Sequence, residues 1–356
     1  YHQKQMLSDG SRMAAYRDAI LENAACFKDK VVLDVGAGSG ILSIWAAKAG
    51  AKKVYACEFT SMAAHARTLV EANGLSAVVE VKQCAVEALD IAPESVDIII
   101  SEWMGYFLLR ESMLDSVIYA RDRFMKKEGA LYPSRATMYW APASLEGERD
   151  RKLRERLEAM AEWDAFQGET AREHGVDVTC LRAAYEKEQT SFYLRQAQWA
   201  EMNPDTILAE PVRVLDLDLY TTTVEESSGL SANFDFKDTP LDTVTAFAGW
   251  FTVDFEGSKS VPAVSPTTLS TAPEDGYTHW GQQVFHVAPS DVPEGVKLPF
   301  TRGTLKMRRQ TEQCRLYVVQ CDLETKEDNI FDKKKNGSGS PSSPATPTKP
   351  TTLSIE

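Results

Sequence analysis

Short apolar runs alternate with helical spacings through the first third of the chain. Val31–Val35, Val54–Glu58, Val78–Cys84 and Val96–Ser101 read as strands, with helices over Ile41–Ala49 and Met62–Asn73 between them. Such alternation builds a parallel sheet covered on both faces, with ligands bound beyond the carboxyl ends of its strands. Gly36, Glu58, Glu87 and Glu102 all lie just past such ends, so one cleft can hold them together. Upstream, Met13, Tyr16, Ile20 and Leu21 recur at helical spacing across Ser8–Asn23, and Ser8 or Asp9 can cap that helix.

The texture changes near Tyr132-Pro133-Ser134. Ala136–Trp140, Val212–Thr223, Thr245–Phe255 and Leu316–Leu323 are rich in β-branched and aromatic residues without helices between them, which predicts an antiparallel β domain. A charged helical insertion from about Gly147 to Gln198 interrupts it. The insertion carries Leu157, Met160, Trp163 and Phe166, too many apolar residues for a solvated loop. The expected organisation is therefore an α/β domain over residues 1–134, a β domain over 135–332 and a Pro/Ser/Thr-rich disordered tail over 333–356. The lysine run that opens the tail is read as solvated before it is read as a nuclear signal.

Composition narrows the classes. A chain of 356 residues with 43% hydrophobic content exceeds one ordinary core. Six cysteines without a C-x-x-C pair argue for reduced thiols in the cytosol or nucleus, and no metal site is expected. No apolar stretch approaches the roughly eighteen residues of a membrane span, and no signal peptide is visible. The chain starts at Tyr1, so a native N-terminus is expected to precede it. A net charge of −13 serves solubility first; it also disfavours nucleic acid and concentrates cationic protein tails.

The candidate chemistry starts where the first strand meets the first helix of the sheet. Asp34-Val35-Gly36-Ala37-Gly38-Ser39-Gly40 is neither the G-x-G-x-x-G of dinucleotide sites nor a P-loop. It resembles the first motif of the class I methyltransferases that bind S-adenosylmethionine, with Glu58 placed to accept the ribose hydroxyls. Past the fourth strand, Ser101-Glu102-Trp103-Met104-Gly105-Tyr106 is followed by a second acid, Glu111. Out of context, Glu111 would be read as pairing with Arg110 and Glu102 as an edge charge. In context the segment resembles the double-glutamate loop of the protein arginine methyltransferases. With Thr278-His279-Trp280, the resemblance covers residues 1 to about 330 in that family's order. It is of the type I kind and most like the plant-type branch.

The resemblance implies a Rossmann-like domain followed by a β-barrel domain with a helical dimerisation arm, hence a homodimer. It implies transfer of methyl groups from S-adenosylmethionine to arginines in Arg-rich protein tails, leaving S-adenosylhomocysteine and giving monomethyl, then asymmetric dimethyl arginine. A guanidinium is a planar cation with five donors, and two flanking carboxylates can localise its charge and free one nitrogen to attack. Glu102 and Glu111 would be that clamp. Gln3, Arg12, Asp34, Gly36, Gly38, Gly40, Glu58, Val86 and Glu87 would bind the cofactor, Arg12 through its carboxylate and Val86 and Glu87 beside the adenine. Asp9 and His279 would pair across the domains and relay a proton. Met6, Met113 and Trp280 would line the acceptor pocket. The chain departs from the family's pattern at Gln3, where many members place a histidine, and in lacking the aromatic pair upstream of the helix. Two other readings remain: a class I methyltransferase on another substrate, and a non-catalytic binder of arginine tails.

Overall fold

The computed structural model describes residues 2–287, 301–324 and 351–355. Helices α1 (His2–Ser8), α2 (Gly10–Leu21) and α3 (Ala24–Phe27) precede β1 (Val31–Val35), α4 (Ile41–Lys48), β2 (Lys53–Cys57), α5 (Met62–Ala72), β3 (Val79–Lys82), β4 (Val96–Ile100), α6 (Leu114–Phe124) and β5 (Met125–Tyr132). The five strands form a parallel sheet in the order β3-β2-β1-β4-β5. Their apolar runs bury nearly every side chain of β1 and β4, as a sheet covered on both faces requires.

The helix expected over Ser8–Asn23 is α2, and a further helix, α1, precedes it. Asp9 sits between them in extended conformation, and its side chain accepts the Arg12 N–H, so it is the cap that starts α2.

The chain then continues into β6 (Arg135–Ala143), α7 (Glu146–His174), α8 (Arg182–Thr190), β7 (Gln198–Ala200), β8 (Val212–Asp218), α9 (Val224–Ser227), β9 (Gly229–Phe236), β10 (Ala246–Gly257), β11 (Pro262–Ser270), β12 (Gln282–His286), β13 (Thr301–Arg309), β14 (Tyr317–Leu323) and β15 (Thr351–Ile355). One sheet runs β7-β12-β10-β6-β8 with β11 on β10, and a second runs β15-β14-β13-β9. They share one core, in which Phe247 stacks on Trp140 at 5.1 Å and meets Phe234 of the second sheet at 5.6 Å. This is the barrel domain expected after the parallel sheet. β11 escapes the sequence pattern because it is an exposed edge carrying Pro262 and Pro266, residues that only an edge tolerates.

The tail departs from expectation in part. Residues 325–350, the lysine run included, lie outside the described residues, but Thr351–Ile355 forms a strand antiparallel to Tyr317–Cys321. Its β-branched, alternating Thr-Thr-Leu-Ser-Ile suits a strand edge better than the Pro/Ser-rich stretch before it.

The arm is a pair of helices. Trp163 stacks on Tyr185 at 4.3 Å, and Arg156 reaches Glu186 and Thr190. Met160 is buried, whereas Leu157 is 62% and Phe166 48% exposed, so part of the apolar face has no cover within the protomer.

The two domains are joined at Phe107, in the loop between β4 and α6. Its ring packs on Phe285 at 5.5 Å and Trp140 at 6.1 Å, and a Cβ added at Gly249 of β10 would collide with that ring. Gly249→Ala is therefore expected to cost about 1–3 kcal/mol through displacement of Phe107. Urea unfolding measures this, and an unchanged midpoint would refute the close fit.

Candidate active site

A cavity of about 800 Å³ opens at the carboxyl ends of β1, β2 and β4. Its floor is the turn after β1, where Gly36, Gly38 and Gly40 all adopt left-handed φ (73°, 53° and 82°) that a side chain would strain. Gly36 and Ala37 donate to the Cys57 carbonyl at 2.9 and 3.0 Å, tying the turn to β2. Glu58, 7% exposed, closes the next edge. One of its oxygens accepts the Gly38 N–H at 2.8 Å, and the other accepts the Thr60 N–H at 2.8 Å and hydroxyl at 2.6 Å. Val86 and Glu87 form the far wall, with Glu87 steadied by Ser116 at 3.3 Å.

Across from the glycines stands the two-glutamate loop. Phe107, Leu108, Glu111 and Ser112 all have positive φ (49°, 62°, 80° and 56°), a concentration of backbone strain that persists only where surrounding contacts impose it. Those contacts are visible. Gly105 N–H donates to Leu108 O, Trp280 Nε1 donates to Met104 O at 2.9 Å, and Glu111 N–H donates to Arg315 O at 2.8 Å. Glu102 faces Arg12, whose Nε and Nη2 donate to one carboxylate oxygen at 3.2 and 2.9 Å, with both side chains under 10% exposed. Arg12 Nη1 also donates to Met6 O at 3.2 Å. Glu111 is half-exposed and pairs with Arg315 at 2.9 Å; the sequence offered only the neighbouring Arg110.

Asp9 and His279 meet as the sequence suggested. Oδ2 of Asp9 accepts the backbone N–H of His279 at 2.8 Å and lies 2.7 Å from its Nδ1, while Oδ1 accepts the Arg12 N–H at 3.0 Å. Burial pushes Asp9 up, but the hydrogen bonds from the His279 ring and the two backbone N–H groups outweigh it and hold it below the usual carboxylate range.

Of the residues singled out in the sequence, Met6, Gly36, Gly38, Glu58, Val86, Glu87, Glu102, Glu111, Met113, His279 and Trp280 all line the cavity. Asp9, Arg12 and Gly40 stand behind its wall. Gln3 lies on α1, its side chain outside the described residues. Asp34 needs correcting, because it does not reach the cavity. It is fully buried beneath the turn and accepts the Ser43 N–H at 3.1 Å and hydroxyl at 2.7 Å, bracing the start of α4. Cys57, Phe59, Thr60, Cys84 and Tyr106 also line the cavity. Of these, Thr60 was within reach, since a hydroxyl two residues after a carboxylate commonly bonds back to it.

Known proteins share this arrangement. A model of the methyltransferase domain matches residues 32–129, and a model of the arginine methyltransferase oligomerization subdomain matches residues 134–328. Protein arginine N-methyltransferase PRMT10 of Arabidopsis thaliana is 46% identical over 92% of this chain and 85% of its own, and that of Oryza sativa subsp. japonica is 46% identical over 92% and 86%. The chain belongs to the protein arginine N-methyltransferases. The crystal structure of the Arabidopsis thaliana arginine methyltransferase 10 superposes with a TM-score of 0.85 at 41% identity, covering 100% of this chain and 98% of that one. A Trypanosoma brucei PRMT1 enzyme–prozyme complex with AdoHcy superposes at 0.74 and 25% identity, covering 100% and 98%. The plant-type character read from the sequence is thus shown, and so is the methyltransferase fold with its family's oligomerisation subdomain.

Burial raises Asp34 to about 7, against the lowering effect of the Ser43 bonds, and its Oδ1 has no partner among the described residues. A carboxyl whose folded-state value is raised contributes stability that is full below its unfolded value and is lost as pH rises through the folded one. The methyltransferase should therefore lose stability relative to Asp34→Asn between about pH 4 and 7. Chemical denaturation of both proteins across that range measures the gap; a gap that does not change with pH would contradict a protonated Asp34.

Proposed function

We propose that this methyltransferase moves the methyl group of S-adenosylmethionine to guanidino nitrogens of arginine in Arg-rich protein tails, giving monomethyl and then asymmetric dimethyl arginine. The observation that carries the proposal is the placing of Glu102 and Glu111, from one strained loop, on the wall of the cavity whose floor is the glycine turn.

The residues fit the cofactor. The space above Gly36 is taken by the Met113 side chain, which any Cβ there would strike, so only glycine lets the turn and that cavity-lining methionine pack together, and Glu58 presents its carboxylate to the cavity. Three of about four acceptor positions on that carboxylate are already used, so both ribose hydroxyls are accepted only if the Thr60 hydroxyl turns away. Val86 and Glu87 would flank the adenine. When bound, the cofactor supplies an electrophilic sulfonium methyl.

The rest is done by the chain. Glu102 is held in one orientation by two Arg12 bonds, and Glu111 projects from a backbone pinned to the β13–β14 turn. Two such carboxylates hold the guanidinium by charge-assisted bonds, keep its positive charge on one side and leave one nitrogen lone pair for the methyl. To reach the cofactor carboxylate as well, Arg12 must release its Nη1 contact with Met6. His279, which lines the cavity and is oriented by Asp9, is assigned the proton that the methylated nitrogen gives up. Met6, Met113 and Trp280 shape the acceptor pocket. Cysteines that form no disulfide among the described residues suit work in the cytosol or nucleus.

Glu111→Gln or Glu102→Gln should lower turnover by about a hundredfold or more with cofactor affinity little changed, because each removes a charge that matters most as the transition state forms. Labelled methyl transfer to an Arg/Gly-rich peptide, with the product identified by mass spectrometry, measures this. Near-normal turnover would exclude the clamp, and symmetric dimethylarginine would exclude the product assigned.

The apolar face of the arm, with Leu157 and Phe166 uncovered, supports a homodimer in which each arm docks on its partner. Deleting residues 152–185 with a short Gly-Ser closure should give a monomer that binds the cofactor much more weakly. Sedimentation together with calorimetry decides it, and a fully active monomer would show the arm to be dispensable.

A further inference from the structure

Arg315 stands in the turn between β13 and β14, 204 positions from the glutamate it bonds. Its Nη2 donates to Oε2 of Glu111 at 2.9 Å, with 70% of the Arg315 and 51% of the Glu111 side chain exposed. The backbone carries the contact independently of the charges. Glu111 N–H donates to the Arg315 carbonyl at 2.8 Å, and the Ser112 hydroxyl donates to the Cys314 carbonyl. A guanidinium, the same group as the proposed substrate's, therefore already occupies one side of the clamp.

We propose that Arg315 is a specificity-determining residue: an in-chain guanidinium that keeps Glu111 paired until a substrate arginine displaces it. The proposal rests on the arginine-methylating reading above. Arg315 makes one exposed nitrogen–oxygen bond to the carboxylate, a contact worth little in water. A substrate guanidinium that enters the cavity brings two parallel bonds and reaches Glu102 as well, so it wins the exchange. A lysine ammonium, a strongly hydrated point charge without the fork, gains less and is held off by the resident cation. Glu111 passes from one cation to another and is not left bare at any stage.

Arg315→Gln removes the charge while keeping the backbone bonds that seat the loop, and at so exposed a position it should fold normally. In the full-length protein, KM for an Arg/Gly-rich peptide should fall about two- to fivefold, the worth of an exposed ion pair, with kcat unchanged. The same peptide with lysine in place of arginine should inhibit the variant more strongly than the wild type, and by a larger factor than KM falls, with Arg315→Lys lying between the two proteins; an equal factor would overturn the specificity role. A fall in kcat at constant KM would make Arg315 a positioning residue for Glu111 and overturn the proposal, as would unchanged KM and unchanged lysine inhibition. Calorimetric binding of both peptides in the same samples keeps the two readings apart. A wild type that binds the arginine peptide without methylating it refutes the function, while the ratio of its affinity to that of Arg315→Gln still decides displacement.

Discussion

One buried carboxylate sets the relation between the domains. Asp9 is 1% exposed, and its two oxygens are shared between α2, through the Arg12 N–H, and the barrel domain, through the backbone and ring of His279. Unpaired in such a place, a carboxylate would be costly; paired this way it is held ionised and becomes a rigid joint. The joint also fixes where α2 starts. Arg12, in the first turn of that helix, is thereby aimed at Glu102, so the charge balance of the clamp depends on a contact made by the opposite domain.

The loop carrying both glutamates could not hold its shape alone. Four non-glycine residues in the left-handed region cost on the order of a kcal/mol or more each. The barrel holds them there: Phe107 is wedged between Gly249, Trp140 and Phe285, Trp280 bonds the Met104 carbonyl, and the β13–β14 turn bonds Glu111 and Ser112. A parallel sheet alone would supply the glycine turn and Glu58 but leave the clamp unsupported. That division explains why the cavity is walled on one side by the sheet domain and on the other by Trp280 and His279.

Four strands of the parallel sheet were legible as apolar runs: Val31–Val35 coincides with its prediction, and the neighbouring strands shift by a residue or two. The fifth, β5, was missed because it opens on the exposed, charged Lys126-Lys127-Glu128. The edge strand β11 was not legible either, because it contains prolines and its alternation is masked: Pro262, Val264 and Pro266 stand at exposed positions and the small or polar Ala263, Ser265 and Thr267 at half-buried ones. Within the site, the glycine turn was found by its spacing and the two glutamates by the resemblance of their loop to the family's; Gly36, Gly38, Glu58, Glu102 and Glu111 all reach the cavity. Asp34 was misplaced because an acid before a glycine turn can serve either the ligand or the helix, and only burial separates the two. The Glu111–Arg315 contact was beyond reach, since sequence offers no register between positions so far apart, whereas the adjacent Arg110 offers an easy wrong partner.

If the joint at Asp9 governs the clamp, its effect on catalysis must pass through Arg12. The Asp9 side chain bonds the backbone of residue 12, which Arg12→Ala retains. A double-mutant cycle with Asp9→Ala and Arg12→Ala, read in kcat/KM for an Arg/Gly-rich peptide, measures the coupling directly. The double variant should lose little more than the worse of the two single variants, a coupling of about 1–2 kcal/mol; losses that simply add would show that the joint and the clamp act independently.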